Sequence, residues 1–280
     1  GQLGGKPSWL NIRDIPEKPV VCSKCEEKPQ LRFLCQLYAP LDQIEPAAFH
    51  RSLYVFGCPN CSSIKVLRCQ LPKDNDFFPA SSTFDTDGWI QHLPAAHQTK
   101  LCHVCGQRGK GTCPVQKVSF CGRHHQLEYK KHSKKGSWMP SVYAKSELVV
   151  EQEPDVDQNT TEEDPETLFD NAQDSDEDED LEQEDLNNLV GSNRNTEEED
   201  PVTSEFKARI KRAPEQCLRY FPEFKGDELW MLSEPKPKEI PSCECCGAER
   251  KCEFQIMPQM LYHLLQEHRK RSSTKSIITA

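Results

Sequence analysis

The chain contains no run of apolar residues approaching the roughly 18 that a spanning helix requires, and its first residues carry no apolar leader core. Neither a membrane span nor an export signal is therefore expected. It begins at Gly1 without a methionine, as a processed or engineered fragment would. Gly1 stands where a myristoyl acceptor would, but Gly5 occupies the place where that signal wants Ser or Thr. No glycine-rich phosphate loop and no nucleophile–base constellation occurs, so enzyme activity is not expected. Asp85 and Asp87 beside Trp89 read better as turn and surface residues than as a catalytic pair. No helix-compatible segment clusters Arg and Lys on one face, so nucleic acid is not an expected ligand.

Basic residues are nearly missing from one stretch. Residues 151–200 hold 22 of the 45 Asp and Glu but only Arg194 of the 35 Lys and Arg, a local charge of −21 inside a total of −10. The remainder is therefore +11. Dense like charge with few apolar residues predicts an unfolded acidic linker over 146–203. It contains Ser175 before Asp176-Glu177-Asp178, a context suited to acidophilic phosphorylation. Leu181, Leu186, Leu189 and Val190 have an export-signal-like spacing, which makes an export receptor a candidate partner. Stray apolar residues in a linker are the plainer reading.

What the chain has in excess is cysteine, 15 in all, eight of them in Cys-x-x-Cys pairs. With no export signal the thiols meet a reducing compartment, where metal ligation is favoured over disulfides. Cys22/Cys25 and Cys58/Cys61 are separated by 32 residues and predict one closed four-thiolate zinc site. Four protein ligands leave no position for water, so that site is structural. Cys35 and Cys69 lie in apolar runs and read as buried small hydrophobes.

The segment 102–132, CHVCGQRGKGTCPVQKVSFCGRHHQLEYKKH, resembles a MYND-type zinc finger. Cys102, Cys105, Cys121 and His125 match its first site, although His124 is adjacent and spacing does not separate the two histidines. The second site is degenerate: Gln116 stands where Cys113 needs a partner, His132 is a candidate third ligand, and no cysteine follows. One zinc is expected there, making about two per chain. Cys243/Cys246 form an incomplete metal half-site. By the spacing of the first site its partner pair falls near Thr279, where there is none, so the chain is expected to end before that site closes. Cys245 and Cys252 are nearby, but four such closely spaced cysteines make a poorer cage. Divergence without metal is the alternative.

Leu31–Tyr38, Leu53–Cys58 and Ile64–Cys69 read as strands, His124–Lys131 as a helix, and order resumes near Phe206. Met260, Leu261, Leu264 and Leu265 share one helical face between Gln259 and His268, most simply a core face. Trp9, Tyr38, Phe49, Tyr54 and Phe56 at strand spacing read as core rather than as a peptide groove. Segments 22–41 and 243–261 each place a Cys-x-x-Cys about ten residues before a Gln-apolar strand ending near Pro, which reads as an internal repeat.

Gly4-Gly5-Lys6-Pro7-Ser8-Trp9-Leu10, Gln36-Leu37-Tyr38-Ala39-Pro40-Leu41 and Phe49-His50-Arg51-Ser52-Leu53-Tyr54-Val55-Phe56, extended by Arg68-Cys69-Gln70-Leu71-Pro72, resemble the N-terminal signature of the programmed cell death protein 2 family. Arg219-Tyr220, Leu229-Trp230, Ile240-Pro241-Ser242-Cys243 and Glu253-Phe254-Gln255-Ile256-Met257-Pro258-Gln259 resemble its C-terminal domain. The degenerate finger and the acidic insert look more like its programmed cell death 2-like and yeast ribosome-biogenesis branch. The resemblance implies a mainly β, α+β fold of two related zinc-containing halves with the finger inserted. The expected division is 1–95, 100–135, 146–203 and 204–280, the last domain incomplete. It also implies a dedicated chaperone for newly made small-subunit ribosomal protein S2 (universal S5 type), acting in 40S maturation and shuttling between cytoplasm and nucleus. A zinc-dependent nuclear interaction or nucleic-acid-binding regulator is the alternative.

Overall fold

The computed structural model describes residues 1–78, 99–133, 139–154, 200–266 and 276–279. It is mostly β with a few helices, in two compact units: Gly1–Val149 with His263–Ser276, and Val150–Tyr262 with Ile277–Ala280. Among the described residues no helix is long and apolar enough to cross a membrane.

In chain order the first unit contains β1 (Gln2–Leu3), β2 (Arg32–Tyr38), β3 (His50–Gly57), β4 (Ile64–Leu71), β5 (Gly111–Thr112), β6 (Ser119–Phe120), helix α1 (Arg123–Ser133) and the start of β7 (Ser146–Glu151). Its main sheet runs β4-β3-β2-β1-β7. β3 pairs antiparallel with β4 without a break, from His50↔Leu71 to Gly57↔Ile64, while β2 bulges between Phe33 and Cys35. Arg51–Phe56 is buried at every position, because a central strand is covered on both faces and loses the alternation of a half-exposed one. Phe33, Tyr54 and Phe56 pack there with Val20 and Leu31, and Trp9 lies against Tyr54 at 4.6 Å between ring centroids. Cys35 is fully buried and Cys69 partly so, as expected of small hydrophobes.

In the second unit, α2 (Pro201–Arg212) starts at Asp200, whose carboxylate accepts from the Val202 N–H at 3.0 Å while proline takes the first helical position. Phe206 and Ile210, one turn apart, bury against Leu229 and Met257. β8 (Gln216–Tyr220) pairs antiparallel with β9 (Phe254–Ile256), and the start of helix α3 (Gln259–Gln266) follows. β10 (Ser276–Thr279) runs parallel to β8. Glu153 receives Arg209 at 2.9 Å and Arg219 at 3.2 Å, an ion-paired cluster within this unit.

Several expectations need correction. The stretch expected as linker, 146–203, begins with the Ser146–Glu151 strand and ends in the first turn of α2. The low hydrophobicity averaged over the stretch hid both. Residues 155–199, with Ser175 and the leucine spacing, lie outside the described residues, as do Asp85, Asp87 and Trp89. The finger segment falls in the same compact unit as the N-terminal sheet rather than apart from it. On α3, Met260 and Leu264 are buried but Leu261 and Leu265 are exposed, so the buried stripe is narrower than four residues. Of the five N-terminal aromatics, Tyr54 and Phe56 are core, whereas Tyr38 is half exposed.

The internal repeat has a structural counterpart. In the first unit the Gln36 amide accepts from the Ser8 N–H and donates to the Ser8 carbonyl, both at 2.8 Å, beside Trp9. In the second, the Gln255 amide accepts from the Leu229 N–H at 2.9 Å and donates to its carbonyl at 2.6 Å, beside Trp230. Each glutamine sits in the strand after a Cys-x-x-Cys turn and pairs an extended segment as another strand would. Tyr54 adds a second hold in the first copy, its hydroxyl accepting from Leu10 N–H at 2.6 Å. Burial pushes that phenol up to about 12, so it stays protonated.

Candidate metal centres

The first centre is built by two hairpins. Val21 and Gln30 form a bridge that closes the Cys22–Cys25 turn, with Cys22 N–H donating to Pro29 carbonyl at 2.9 Å. The β3–β4 connection supplies Cys58 and Cys61, and Cys58 N–H reaches Ser63 carbonyl at 2.9 Å. The four sulfurs lie within 4.8 Å of one another, with Cys22–Cys61 at 3.7 Å and Cys25–Cys58 at 3.8 Å. A tetrahedral ion with sulfur at about 2.3 Å demands edges of about 3.8 Å, so the donor set fits a metal. N–H groups of Cys25 and Lys24 point at Cys22 Sγ, each at 3.4 Å, and hold its thiol down to about 6. Hydrogen bonding and negative charge from the neighbouring thiolates push Cys25 up to about 12. Such a set of one ready thiolate and one reluctant thiol is relieved by a bound cation.

The second centre joins a turn to a helix. Leu101 and Arg108 bridge around Cys102–Cys105, and the turn is closed at Gly106, which has φ +70°. A Cβ at Gly106 would stand 2.9 Å from Lys6 Cβ, so glycine is required by both conformation and contact. Cys121 precedes α1 and His125 lies one turn into it, placing both on one side. His125 Nδ1 is 3.0 Å from Cys121 Sγ and 3.5 Å from Cys102 Sγ, and Cys105–Cys121 is 3.8 Å. His125 is therefore the histidine that joins the set that could hold a metal; exposed His124 instead bonds the Gln30 side chain at 3.0 Å. Burial disfavours the imidazolium of His125, but the Cys102 and Cys121 thiolates outweigh it and raise the group to about 9. A metal would replace that proton. Glu128, three residues on, faces His125 Nε2 at 3.9 Å and is fixed by Ser141.

The two turns without a closed set have the same backbone. In Cys102–Gln107 the first N–H donates to the carbonyl five residues on at 2.7 Å, and the N–H four residues on returns to the first carbonyl at 2.9 Å. Cys113–Val118 repeats this at 2.8 and 2.7 Å, with Lys117 at φ +54°. Cys243–Ala248 repeats it at 2.9 and 2.8 Å, with Gly247 at φ +71°. The turn is thus a local structure that survives replacement of its second cysteine by Gln116. Among the described residues only the two complete sets gather three or more ligating groups, and neither Cys113 with His132 nor Cys243 with Cys246 belongs to one.

Sequence reasoning missed the supports around the second centre. Gln30, from the edge of the first centre, donates its amide to Cys105 Sγ at 3.4 Å. Gln107 accepts from Val20 N–H at 2.8 Å, Arg108 donates to Ile15 carbonyl at 2.8 Å, and Trp9 indole donates to Gly106 carbonyl at 2.7 Å. Lys6 also bonds the His103 carbonyl. Glu128 was detectable, since it sits three residues after a ligand on a helix. The other contacts cross about 70 to 100 positions and leave no local mark. In both candidate centres four protein groups from distant segments come together, and a metal held by all four would tie those segments to one another.

Comparison with known proteins places these features. The profile described as Programmed cell death protein 2, N-terminal domain matches residues 1–85, and that of the C-terminal putative domain matches 200–278. The chain is 32% identical to Programmed cell death protein 2 of Bos taurus over 294 residues, covering 97% of this chain and 81% of that protein. For the Rattus norvegicus protein the figures are 32%, 94% and 79%. Programmed cell death protein 2-like of Mus musculus is 26% identical, covering 93% and 78%. The expected leaning toward the 2-like branch is therefore not met. No solved structure matches at the significance these relatives reach. With both family domains matched and about 30% identity held over most of the chain, the chain belongs to the programmed cell death protein 2 family.

Proposed function

We propose that the chain is a dedicated chaperone for newly made small-subunit ribosomal protein S2 (universal S5 type) that supports 40S biogenesis in the cytoplasm and shuttles to the nucleus. The observation that carries the reading is the presence of both family domains on one chain. The two ligand sets serve it as scaffold: each takes one zinc, about two per chain. The 102–132 segment acts as a degenerate MYND-type finger whose second site has been given up. A scaffold role also leaves the chain without catalysis.

An extended client segment needs a place to pair. β4 ends the order of its sheet, with Ile64 and Val66 exposed, and suits strand addition by a peptide. The tract at 151–200, at −21, adds weak attraction for a basic client, screened over about 8 Å at physiological salt. Capture of co-expressed ribosomal protein S2, run beside an RNA mobility-shift assay, tests the reading. Stoichiometric capture is expected, with deletion of 155–199, which spares Glu153 and Asp200, weakening it most at low salt. Tight, salt-resistant RNA binding without capture would favour the nucleic-acid-binding regulator instead.

A further inference from the structure

A cleft of about 530 Å³ opens within the first unit, between the first metal-binding turn and the finger. Lys28, Arg32 and Lys110 line it together with His124, and none of its lining residues is an Asp or Glu. Among the described residues none of the three cations has a carboxylate partner; Arg32 lies over the Tyr143 ring at 5.8 Å, which leaves its charge uncancelled. Cys105 and Cys121 also border the cleft, and three thiolates with a divalent metal carry a formal charge of about −1. The balance remains positive by about two charges. Exposed Val21 gives the cleft an apolar side, with Leu31 and Phe33 buried behind it.

The walls are fixed to one another. Gln30 spans them, donating to Cys105 Sγ at 3.4 Å and bonding His124 Nε2 at 3.0 Å. Gln107 ties the finger to Val20 at 2.8 Å. A preformed cleft loses little order on binding, so modest contacts suffice for measurable affinity.

We propose that this cleft is a binding site for an acidic peptide segment of another protein, whose carboxylates meet Lys28, Arg32 and Lys110 and whose apolar side chains meet Val21. It has the opposite sign to a site for a basic client and does not depend on that reading. Client capture can fail with acidic-peptide binding intact, and the reverse.

The test is fluorescence anisotropy of the full, metal-loaded chain with a fluorescein-labelled peptide of alternating Glu and Ala, against one of alternating Lys and Ala. Saturable binding of the acidic peptide alone is expected. The triple variant K28E/R32E/K110E weakens it by at least about tenfold, since three exposed pairs are lost and reversed. The matched variant K65E/R68E/K225E, whose residues do not line the cleft, leaves it within about twofold. Metal content and thermal melting check the fold. If the triple variant loses metal, K28A/K110A takes its place, with about threefold weakening expected from two lost contacts. Equal weakening by the matched variant overturns the proposal, because attraction is then spread over the surface. So does absence of binding. An affinity gain of about tenfold on deleting 155–199 also overturns it, because the chain's own acidic tract is then the occupant.

Discussion

Gln30 links the two metal centres, and its replacement gives a decisive test of how they are held. Its amide donates to Cys105 Sγ at 3.4 Å, while its backbone closes the turn that carries Cys22 and Cys25. Gln30→Leu keeps the stem and most of the volume and removes the amide. A hydrogen bond to a charged acceptor contributes about 1.5–3 kcal/mol. The half-buried position and the long N–H···S distance favour the lower end, about 1.5 kcal/mol, or about tenfold in metal affinity. The usual cost of losing a partner that orients a ligand is also about 10–100-fold, so the two routes agree. His124 loses its acceptor too, but it is exposed and water replaces the bond. The assay is competition with a chromophoric chelator, using cobalt substitution to distinguish the four-sulfur centre from the three-sulfur, one-nitrogen centre. Only the latter should weaken. Unchanged competition at both centres, or equal weakening of both, would refute the assignment of Gln30 as a support for the second centre.

Elemental analysis should return about two zinc ions per chain. Chelation should then unfold the first unit cooperatively, because metal binding and folding are one equilibrium in such domains; native near-ultraviolet dichroism after complete stripping would contradict this. In the second unit, Glu153→Gln leaves Arg209 and Arg219 facing a neutral amide, and partial exposure reduces the loss to about 2 kcal/mol, measurable by urea unfolding. Gln255→Leu removes both bonds to Leu229 and should lower stability by about 2 kcal/mol, with Gln36→Leu doing the same in the first unit if the two holds are equivalent. The Ser233 hydroxyl and N–H, then the Val202 N–H, hold the Asp200 carboxyl below its usual range. A lowered carboxyl supports the folded state above about pH 4 and loses that support as pH falls through its own lower value. Helical dichroism of the native chain should therefore decline in acid with a component that Asp200→Asn lacks.

How much of this was legible depended on the range of each interaction. The Cys-x-x-Cys turns, the strand at 32–38 and the helix after Cys121 are short-range structures, and their residues carry the signal within ten positions. The two gathered sets were legible as well: spacing alone grouped Cys22, Cys25, Cys58 and Cys61, and grouped Cys102, Cys105 and Cys121 with a histidine three or four residues on. The choice between His124 and His125 was not, because adjacent helical residues differ only in direction, and packing of α1 turned His125 inward. The ends of the acidic stretch failed for a different reason. A linker drawn from 146 took in a six-residue strand at its edge, which β1 stabilises from about 145 residues away.

The sequence by itself determined which residues can ligate a metal, how they group into turns, and where the charge concentrates in an acidic stretch. It could do so because each feature is a matter of local spacing and side-chain chemistry. Tertiary structure alone decided that the 102–132 segment is tied to Trp9, Ile15 and Val20, that Gln30 supports a thiolate 75 residues away, and that Lys28, Arg32 and Lys110 face one cleft. Those contacts exist only once apolar burial has drawn distant segments together, and polar residues that meet by such folding leave no periodic trace in the chain.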